Sequence, residues 1–157
     1  MIATPSKVFL FGSILVNDDN PAYKKLVEVV GKPTRPDCDQ NWDTTDCPKV
    51  AVITSACPDA ECGEDEYNIG DEEEAATGPF FAGLGMAPRH IKVHVEDYKI
   101  TTDPLTYRGQ KNYQIASYAD IIYFNGGDQS RHARCWFNDD GTPNPILAQI
   151  KRRALNN

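Results

Sequence analysis

The sequence is organised around residues 119–131, which read Ala-Asp-Ile-Ile-Tyr-Phe-Asn-Gly-Gly-Asp-Gln-Ser-Arg. The apolar run at 121–124 predicts a buried strand that ends at two consecutive glycines. Residues without a Cβ atom allow backbone amides to approach whatever lies beyond the strand end. Asp128 is then placed to cap a helix that continues through Arg131, its carboxylate accepting from unpaired amides. A strand, a glycine turn and a helix N-terminus together predict an electropositive backbone pocket.

A hairpin is the alternative for this turn, because Asn-Gly often joins two antiparallel strands. Residues 130–134, Ser-Arg-His-Ala-Arg, lack the alternation of apolar and polar side chains that a returning strand requires. The sequence therefore favours a helix after the glycines.

Further strands and helices are predicted on both sides of this stretch. Apolar runs predict buried strands at 8–12 and 50–56, and alternating side chains predict a third strand at 90–95. Helices are predicted at 21–30, 80–84, 113–118, 129–134 and 145–157. Strands that alternate with helices predict right-handed crossovers and a parallel sheet covered on both faces. The expected fold class is α/β, a three-layer α/β/α sandwich with a mainly parallel sheet.

The composition is that of one globular domain: 157 residues, of which 40% are hydrophobic and 25% charged. A formal net charge of −7 disfavours nucleic acid as a partner and is compatible with a cationic one. The sequence has no apolar stretch long enough to span a membrane, and residues 1–11 lack the order of a signal peptide. The chain is therefore expected to be cytoplasmic, or secreted with its signal already removed, and to bind neither nucleic acid nor membrane.

The cysteines favour secretion. Cys38 and Cys47 bracket one polar loop, and Cys57 and Cys62 bracket another, which suits small disulfide-closed loops of an oxidising compartment. Free thiols are one alternative. Zinc is another, although neither spacing is Cys-x-x-Cys and no histidine is close in sequence, so we expect no metal and no cofactor. Cys135 remains, either as a buried thiol or as half of a bridge to another partner.

Two polar segments interrupt the predicted elements: an insertion at 32–48, which carries the first cysteine pair, and an acidic loop at 57–78. We interpret the acidic loop as a solvated segment whose carboxylates stabilise a helix N-terminus. Attraction of a cationic peptide and binding of Ca²⁺ are the alternatives, although the residue order is not that of an EF-hand.

The histidines are given structural interpretations. His90 and His94 would face the same side of the predicted third strand, as a metal pair would, but no third ligand is nearby. They are therefore expected to be partly exposed sheet residues. His132 lies close to the predicted pocket and directly follows Arg131 on a helix, which favours a surface or packing role over catalysis.

With these elements in place, the chain resembles the cyanophycinase and dipeptidase E family of serine hydrolases, which has a class I glutamine amidotransferase-like, flavodoxin-like sandwich. The matching pieces are 50–56, the helix end at 81–85 and, most specific, 119–129 with its Gly-Gly-Asp-Gln turn. They lie in the family's order over most of the chain, apart from the cysteine insertion and the acidic loop.

The resemblance assigns roles to the turn. In that family its amides help to hold the oxyanion beside the nucleophile, which implies that Gly126 and Gly127 lie on the oxyanion side. It also implies substrate contacts by Gln129, with Asp128 and Arg131 as neighbouring candidates, although Arg131 is more readily paired with Asp128. The implied substrate is a peptide or isopeptide, and a cationic one would suit the acidic loop.

The chain departs from the family at the nucleophile, because it contains no Gly-x-Ser-x-Gly, and its serines, such as Ser55 and Ser130, lack that setting. Residues 1–157 are therefore expected to be the N-terminal part of a single domain, inactive alone. Its partner would be the C-terminal remainder or a second chain released by cleavage, and a homo-oligomer is compatible. One alternative is a catalytically inactive secreted protein that binds cations or a protein partner through its acidic loop. The other is a glutamine amidotransferase-like domain, which would need a cysteine at the nucleophile elbow, and Cys135 does not occupy that position.

Overall fold

A computed structural model describes residues 21–38, 42, 45–69 and 76–156. The strand predicted at 8–12 and part of the acidic segment, 70–75, lie outside the described residues.

The sheet is parallel throughout its described part, which confirms the prediction. Its strands are β1, Lys49–Ile53, β2, Ala87–Ile91, and β3, Ile121–Phe124, in the order β2-β1-β3. Ile53 lies opposite Ile91 on one side and opposite Phe124 on the other. Within the described residues, β3 pairs with β1 alone, so its other side is an edge.

Seven helices are described: α1 Pro21–Val30, α2 Ala60–Asn68, α3 Thr77–Gly83, α4 Tyr98–Thr101, α5 Tyr107–Tyr118, α6 Gln129–Trp136 and α7 Pro145–Asn156. The helices predicted from glycine and proline signals are confirmed, and Asn144 caps α7 by accepting from the amide of Leu147 at 2.9 Å. The helix predicted at 113–118 begins earlier in the structure, at Tyr107. Thr106 caps it there by accepting from the amide of Gly109 at 3.0 Å.

Two other predictions were wrong. The third strand was placed at 90–95, but β1 ends opposite Ile91, and the chain then turns, with the amide of Val93 donating to the Ile91 carbonyl at 3.2 Å. The acidic segment was expected to be a loop, but α2 occupies much of it because Asp59 caps the helix through the amide of Cys62 at 2.9 Å.

Alternate residues of β1 pack into two separate cores. Val50 and Val52 contact the apolar side chains of α1 and α3, such as Leu26. Ala51 and Ile53 belong to the other core, which includes residues of α5, α6 and α7. A strand that is buried on both faces needs helices on both sides, which is why β1 reads as a continuous apolar run.

Cysteine pairing agrees with the sequence. Cys38 is joined to Cys47 and Cys57 to Cys62, with Cα–Cα distances of 5.8 and 5.6 Å. Cys135 is a buried free thiol, and burial raises its pKa to about 11. None of the described helices has the length and apolar character needed to cross a bilayer.

Candidate functional site

The strand order locates a candidate site. The crossover after β1 leads to β2 on one side, and the crossover after β2 brings β3 to the other side of β1. Ligands of open α/β sheets bind beyond the carboxyl ends of the strands where the order reverses in this way. That position lies between the segments that follow β1 and β3, so it includes the predicted glycine turn.

The turn after β3 has the geometry expected for a strand-to-helix connection, and the hairpin alternative is excluded because α6 follows it. The amide of Asn125 still donates to the Ile53 carbonyl at 2.9 Å, and the chain then leaves the sheet. Gly127 has φ +124°, and a Cβ atom there would lie 2.8 Å from the Cβ of Ala56. Gly127 is thus required both by its backbone angle and by the close approach of the two loops.

The predicted cap of α6 is confirmed. The Asp128 carboxylate accepts from the amide and the hydroxyl of Ser130 at 2.8 and 2.6 Å, and these bonds lower the pKa of Asp128. Arg131 donates to the Ala56 carbonyl at 3.1 Å, and its Nε lies 3.5 Å from Asp128. Asp128 and Arg131, two of the three predicted substrate-contact residues, are therefore engaged within the protein, where they fix the turn.

The remaining predicted residues are exposed. Gly126, Gly127 and Gln129 all face solvent. Neither glycine amide donates to an acceptor within the described residues, and the Gln129 side chain has no hydrogen-bond partner in that part of the chain. These groups are free to meet a ligand at the end of β3.

A serine and a histidine meet behind this turn. Ser55 Oγ lies 2.6 Å from His132 Nδ1, and His132 Nε2 lies 3.1 Å from the Asn125 carbonyl oxygen. Trp136 Nε1 donates to Ser55 Oγ at 2.6 Å. We call this set, Ser55, His132, Trp136 and the Asn125 carbonyl, the serine–histidine array. Sequence reasoning missed it, since only proximity of His132 to the turn was apparent.

The array has a defined arrangement of protons. A carbonyl only accepts, so Nε2 of His132 carries the hydrogen, and Nδ1 accepts from the Ser55 hydroxyl. Burial lowers the pKa of His132, which favours this neutral form. Ser55 is 0% exposed, and both hydrogen bonds to its oxygen are already made, so no substrate carbonyl can reach it. The array is a positioning device that joins the loops after β1 and β3 to α6, which gives His132 a packing role rather than a surface one.

A second hydroxyl–histidine group lies on the other side of β1. Thr54 Oγ1 is 2.7 Å from His90 Nε2 and 3.2 Å from His94 Nε2. We call these three residues the histidine cluster. The expectation of partly exposed histidines was wrong, because α2 covers them: His90 is 7% and His94 1% exposed. Their expected common strand was also wrong, since His94 lies beyond β2.

The histidine cluster is incompletely paired. The Thr54 hydroxyl has one proton, so it donates to one imidazole and accepts from the other. Nδ1 of His90 and Nδ1 of His94 are buried without a hydrogen-bond partner within the described residues. Glu64 Oε1 lies 3.9 Å from His90 Nδ1. Burial lowers the pKa of His90 to about 4 and also lowers that of His94.

Potential metal ligands converge at one place among the described residues, and the two histidines are not part of it. The group consists of Cys57, Cys62 and Glu66, whose ligand atoms all lie within 4.8 Å of one another. The two sulfur atoms are joined in a disulfide, so this group is not a ligand set for a cation in this structure. It lies beside the candidate site, because Glu66 Oε2 accepts from Asn125 Nδ2 at 3.1 Å.

A cleft of about 330 Å³ lies elsewhere, between α4 and the segment at 137–145, with Tyr98 and Phe137 among its lining residues. It contains none of the residues predicted to bind or react.

Comparison with protein-family models, with curated proteins and with solved structures finds no match to this chain. The family resemblance therefore rests on the sequence motifs alone.

Proposed function

We propose that this chain supplies the oxyanion-side turn of a serine-type hydrolase that cleaves peptide or isopeptide bonds, with the attacking serine delivered by a segment outside residues 1–157. The observation that carries the proposal is the pair Gly126–Gly127, exposed at the topological switch point with amides that have no acceptor within the described residues. Backbone donors fixed in this way suit the developing negative charge of an acyl-transfer intermediate.

The finer fold proposed with it is a three-layer, flavodoxin-like sandwich of the class I glutamine amidotransferase type. The parallel pairing of β1 with β2 on one side and β3 on the other, and the two cores on opposite faces of β1, support this arrangement. In such a sheet the next strand would pair in parallel with the edge of β3. Its carboxyl end would then lie beside the glycines.

In the proposed reaction, the oxygen of the delivered serine attacks the substrate carbonyl carbon while a histidine takes the serine proton. The carbonyl oxygen becomes an oxyanion that accepts from the amides of Gly126 and Gly127. Collapse of this intermediate expels the amine, which takes the proton from the histidine. Loss of one such donor typically costs about 10²–10³ in rate, so the turn would be a large contributor.

The neighbouring residues have separate proposed roles. Gln129, exposed on the first turn of α6, is the substrate contact. Asp128 and Arg131 act by holding the turn, since their side chains bind Ser130 and the Ala56 carbonyl. Ser55 is not the nucleophile, because it is fully buried. The two disulfides favour an oxidising compartment, and we propose that the protein is secreted.

The test is activity-based labelling of the natural protein. The protein is isolated from its source with an antibody against this chain, treated with a fluorophosphonate probe, and analysed by intact mass and peptide mass spectrometry. We expect the label on a serine outside residues 1–157, in a longer chain or in a co-purifying one. Label on Ser55, or no labelled serine, would contradict the proposal.

The second candidate is an inactive protein that binds a cationic partner through its acidic segment. One observation favours it: Glu61, Asp65 and Glu66 are exposed on the described part of that segment. An unlabelled natural protein whose binding to oligo-lysine weakens steeply with salt would support this candidate instead.

A further inference from the structure

Helix α2 connects the histidine cluster with the turn after β3. The ring of Tyr67 stacks on the ring of His90, with a centroid distance of 4.7 Å and an angle of 6° between the planes. On the preceding residue of the helix, Glu66 Oε2 accepts from Asn125 Nδ2 at 3.1 Å. Asn125 is the last residue before the two glycines. One helix of 9 residues therefore covers the buried histidines and also holds the start of the glycine turn.

The closed histidine cluster can take up one added proton but not two. Thr54 Oγ1 donates to the Nε2 of one ring and accepts from the Nε2 of the other, so this other ring has an unpaired acceptor at Nδ1 in the part of the chain that the structure describes. A first proton binds there without breaking a bond. A second proton must bind to the Nε2 that accepts from Thr54, which breaks that bond and directs two charged N–H groups at one oxygen. Like charges this close are costly in a site of low dielectric. Gly63 of α2 leaves little space for the rings to separate, because a Cβ atom there would lie 2.1 Å from His94 Nε2.

Charged and titratable groups surround the two rings from two segments. They are Asp59, Glu64 and Tyr67 of α2 and its cap, and Lys92, Glu96 and Asp97 of the segment after β2. Glu64 Oε1 lies 3.9 Å from His90 Nδ1, which favours a single charge on the cluster. Burial has the larger effect, because it lowers the pKa of His90 to about 4 and lowers that of His94 as well. A movement that brings both rings to water therefore increases proton binding.

We propose that α2 is an acid-released lid at the switch point, which leaves the end of β1 when both histidines of the cluster are protonated and then releases Asn125. The disulfide between Cys57 and Cys62 keeps the first turn of α2 tethered to the loop after β1, so the helix moves about that end. Release breaks the bond from Asn125 to Glu66, whereas the backbone bonds of Asn125 to β1 and α6 remain. Acid thus uncovers the crevice beside the glycines without unfolding the turn. The lid does not depend on the proposed hydrolase function, and its test needs no enzymatic activity.

The test measures native-state amide hydrogen exchange of the full chain by NMR between about pH 5 and pH 6, with rates corrected for the intrinsic effect of pH. The ordinary histidine pKa of 6.5 lies above this range, so both rings are charged when α2 is open. Each proton taken up on opening increases the opening constant about tenfold per pH unit as the pH falls. Two protons predict an increase well above tenfold, towards about 100-fold per pH unit, for the amides of α2. The amides of α7, which packs in the core on the other face of β1, are the internal reference and should show a smaller slope.

The three histidines of the chain provide matched variants. His90→Gln and His94→Gln each leave one titrating ring in the cluster, so the slope of α2 should fall to about tenfold per pH unit or less. His132→Gln removes the histidine of the serine–histidine array and should leave the steep slope unchanged. NMR relaxation dispersion gives a second readout, because the side-chain amide of Asn125 should exchange at the same rate as the amides of α2. Circular dichroism checks that the variants are folded.

The wild-type measurement is decisive even where a variant does not fold. A slope of about tenfold or less for the wild-type α2 amides, or the same slope in α2 and α7, would overturn the lid. Opening of α2 without exchange at the Asn125 side chain would do the same. A steep slope that disappears in His132→Gln would assign the response to the array and refute the proposal.

Discussion

Thr54 and Ser55, which directly follow β1, each place a hydroxyl against histidine, on opposite sides of the sheet. The two groups differ in how completely their ring nitrogens are hydrogen-bonded. In the serine–histidine array, both ring nitrogens of His132 have partners. In the histidine cluster, Thr54 bonds two imidazoles, and each keeps one buried nitrogen unpaired within the described residues. The serine–histidine array therefore has a fixed arrangement of protons. In the histidine cluster, the burial of the unpaired ring nitrogens is not offset by hydrogen bonds.

The difference separates positioning from stability. An array whose polar atoms are all paired can hold the glycine turn in one geometry, which an oxyanion site requires. A buried cluster that shares one hydroxyl and keeps unpaired nitrogen atoms has fewer interactions to offset its burial, so it is the more sensitive region to substitution and acid.

The largest loss of stability is expected for Gly63→Ala, in the helix α2 that covers the histidine cluster. A Cβ atom there would lie 2.1 Å from His94 Nε2 and 2.7 Å from Thr54 Oγ1, so the buried cluster must move. We expect a loss of about 3 kcal/mol or more in the free energy of unfolding, measured with urea. Gly83→Ala, in α3 with open space around it, is the control and should not destabilise. Equal stability of both variants would show that the cluster is not tightly packed.

Acid should weaken the cluster next. His90 is neutral in the fold with a pKa of about 4, against 6.5 for the free side chain. The unfolded chain binds the proton at His90 more tightly than the folded chain does. The free energy of unfolding is therefore unaffected by this histidine above pH 6.5 and decreases as the pH falls towards 4. The shift corresponds to about 3 kcal/mol. An NMR titration of the His90 ring checks it, and a midpoint near 6.5 would contradict the burial of the cluster.

Thr54→Val tests the shared hydroxyl. The substitution keeps the shape but leaves Nε2 of both His90 and His94 without the bond, so we expect a loss of about 2–3 kcal/mol in the free energy of unfolding. Thr54→Ser keeps the hydroxyl and loses one methyl group, which should cost only about 1 kcal/mol. If the serine variant were the less stable one, packing rather than hydrogen bonding would hold the cluster.

Ser55→Ala is the matching change in the array. It removes the partners of His132 Nδ1 and Trp136 Nε1, but water can reach the half-buried His132, so about 1–2 kcal/mol is expected. Nitrogen NMR shifts should show the wild-type His132 protonated at Nε2. A wild-type ring protonated at Nδ1 would mean that the Ser55 hydroxyl is not the donor.

The smallest effect is expected at the turn itself. Gly127→Ala should cost about 1 kcal/mol, because φ is +124° and the new Cβ would meet Ala56. Gly126→Ala has open space and should leave the free energy of unfolding nearly unchanged. A reversal of this order would mean that the close contact with Ala56 does not constrain the turn.

The sequence predicts those parts of the fold that have local signals. The strand at 121–124, the Asp128 cap and the parallel sheet follow from a short apolar run, a capping residue and the spacing of elements. The two histidine groups could not be predicted, because they depend on contacts between distant segments: Ser55 and His132 are 77 residues apart. The burial of His90 depends on α2, and the acidic composition of that segment does not predict a helix.

The position of Glu66 shows the same limit. Asp59 starts the helix that carries Glu66, and the Glu66 carboxylate accepts from Asn125, which is 59 residues away. Local composition marks this segment as charged, whereas the helix decides which of its carboxylates meets the segment after β3.

The two tryptophans of the chain lie near opposite ends of β1. Trp42 has the cations of Lys49 and Arg89 over its ring, at 5.8 and 5.7 Å, whereas the indole of Trp136 is hydrogen-bonded to Ser55. Each ring thus has its own electrostatic environment, and single Trp→Phe variants would give two independent fluorescence signals. Emission spectra could then report, in one sample without any added dye, whether the two ends melt together or in sequence.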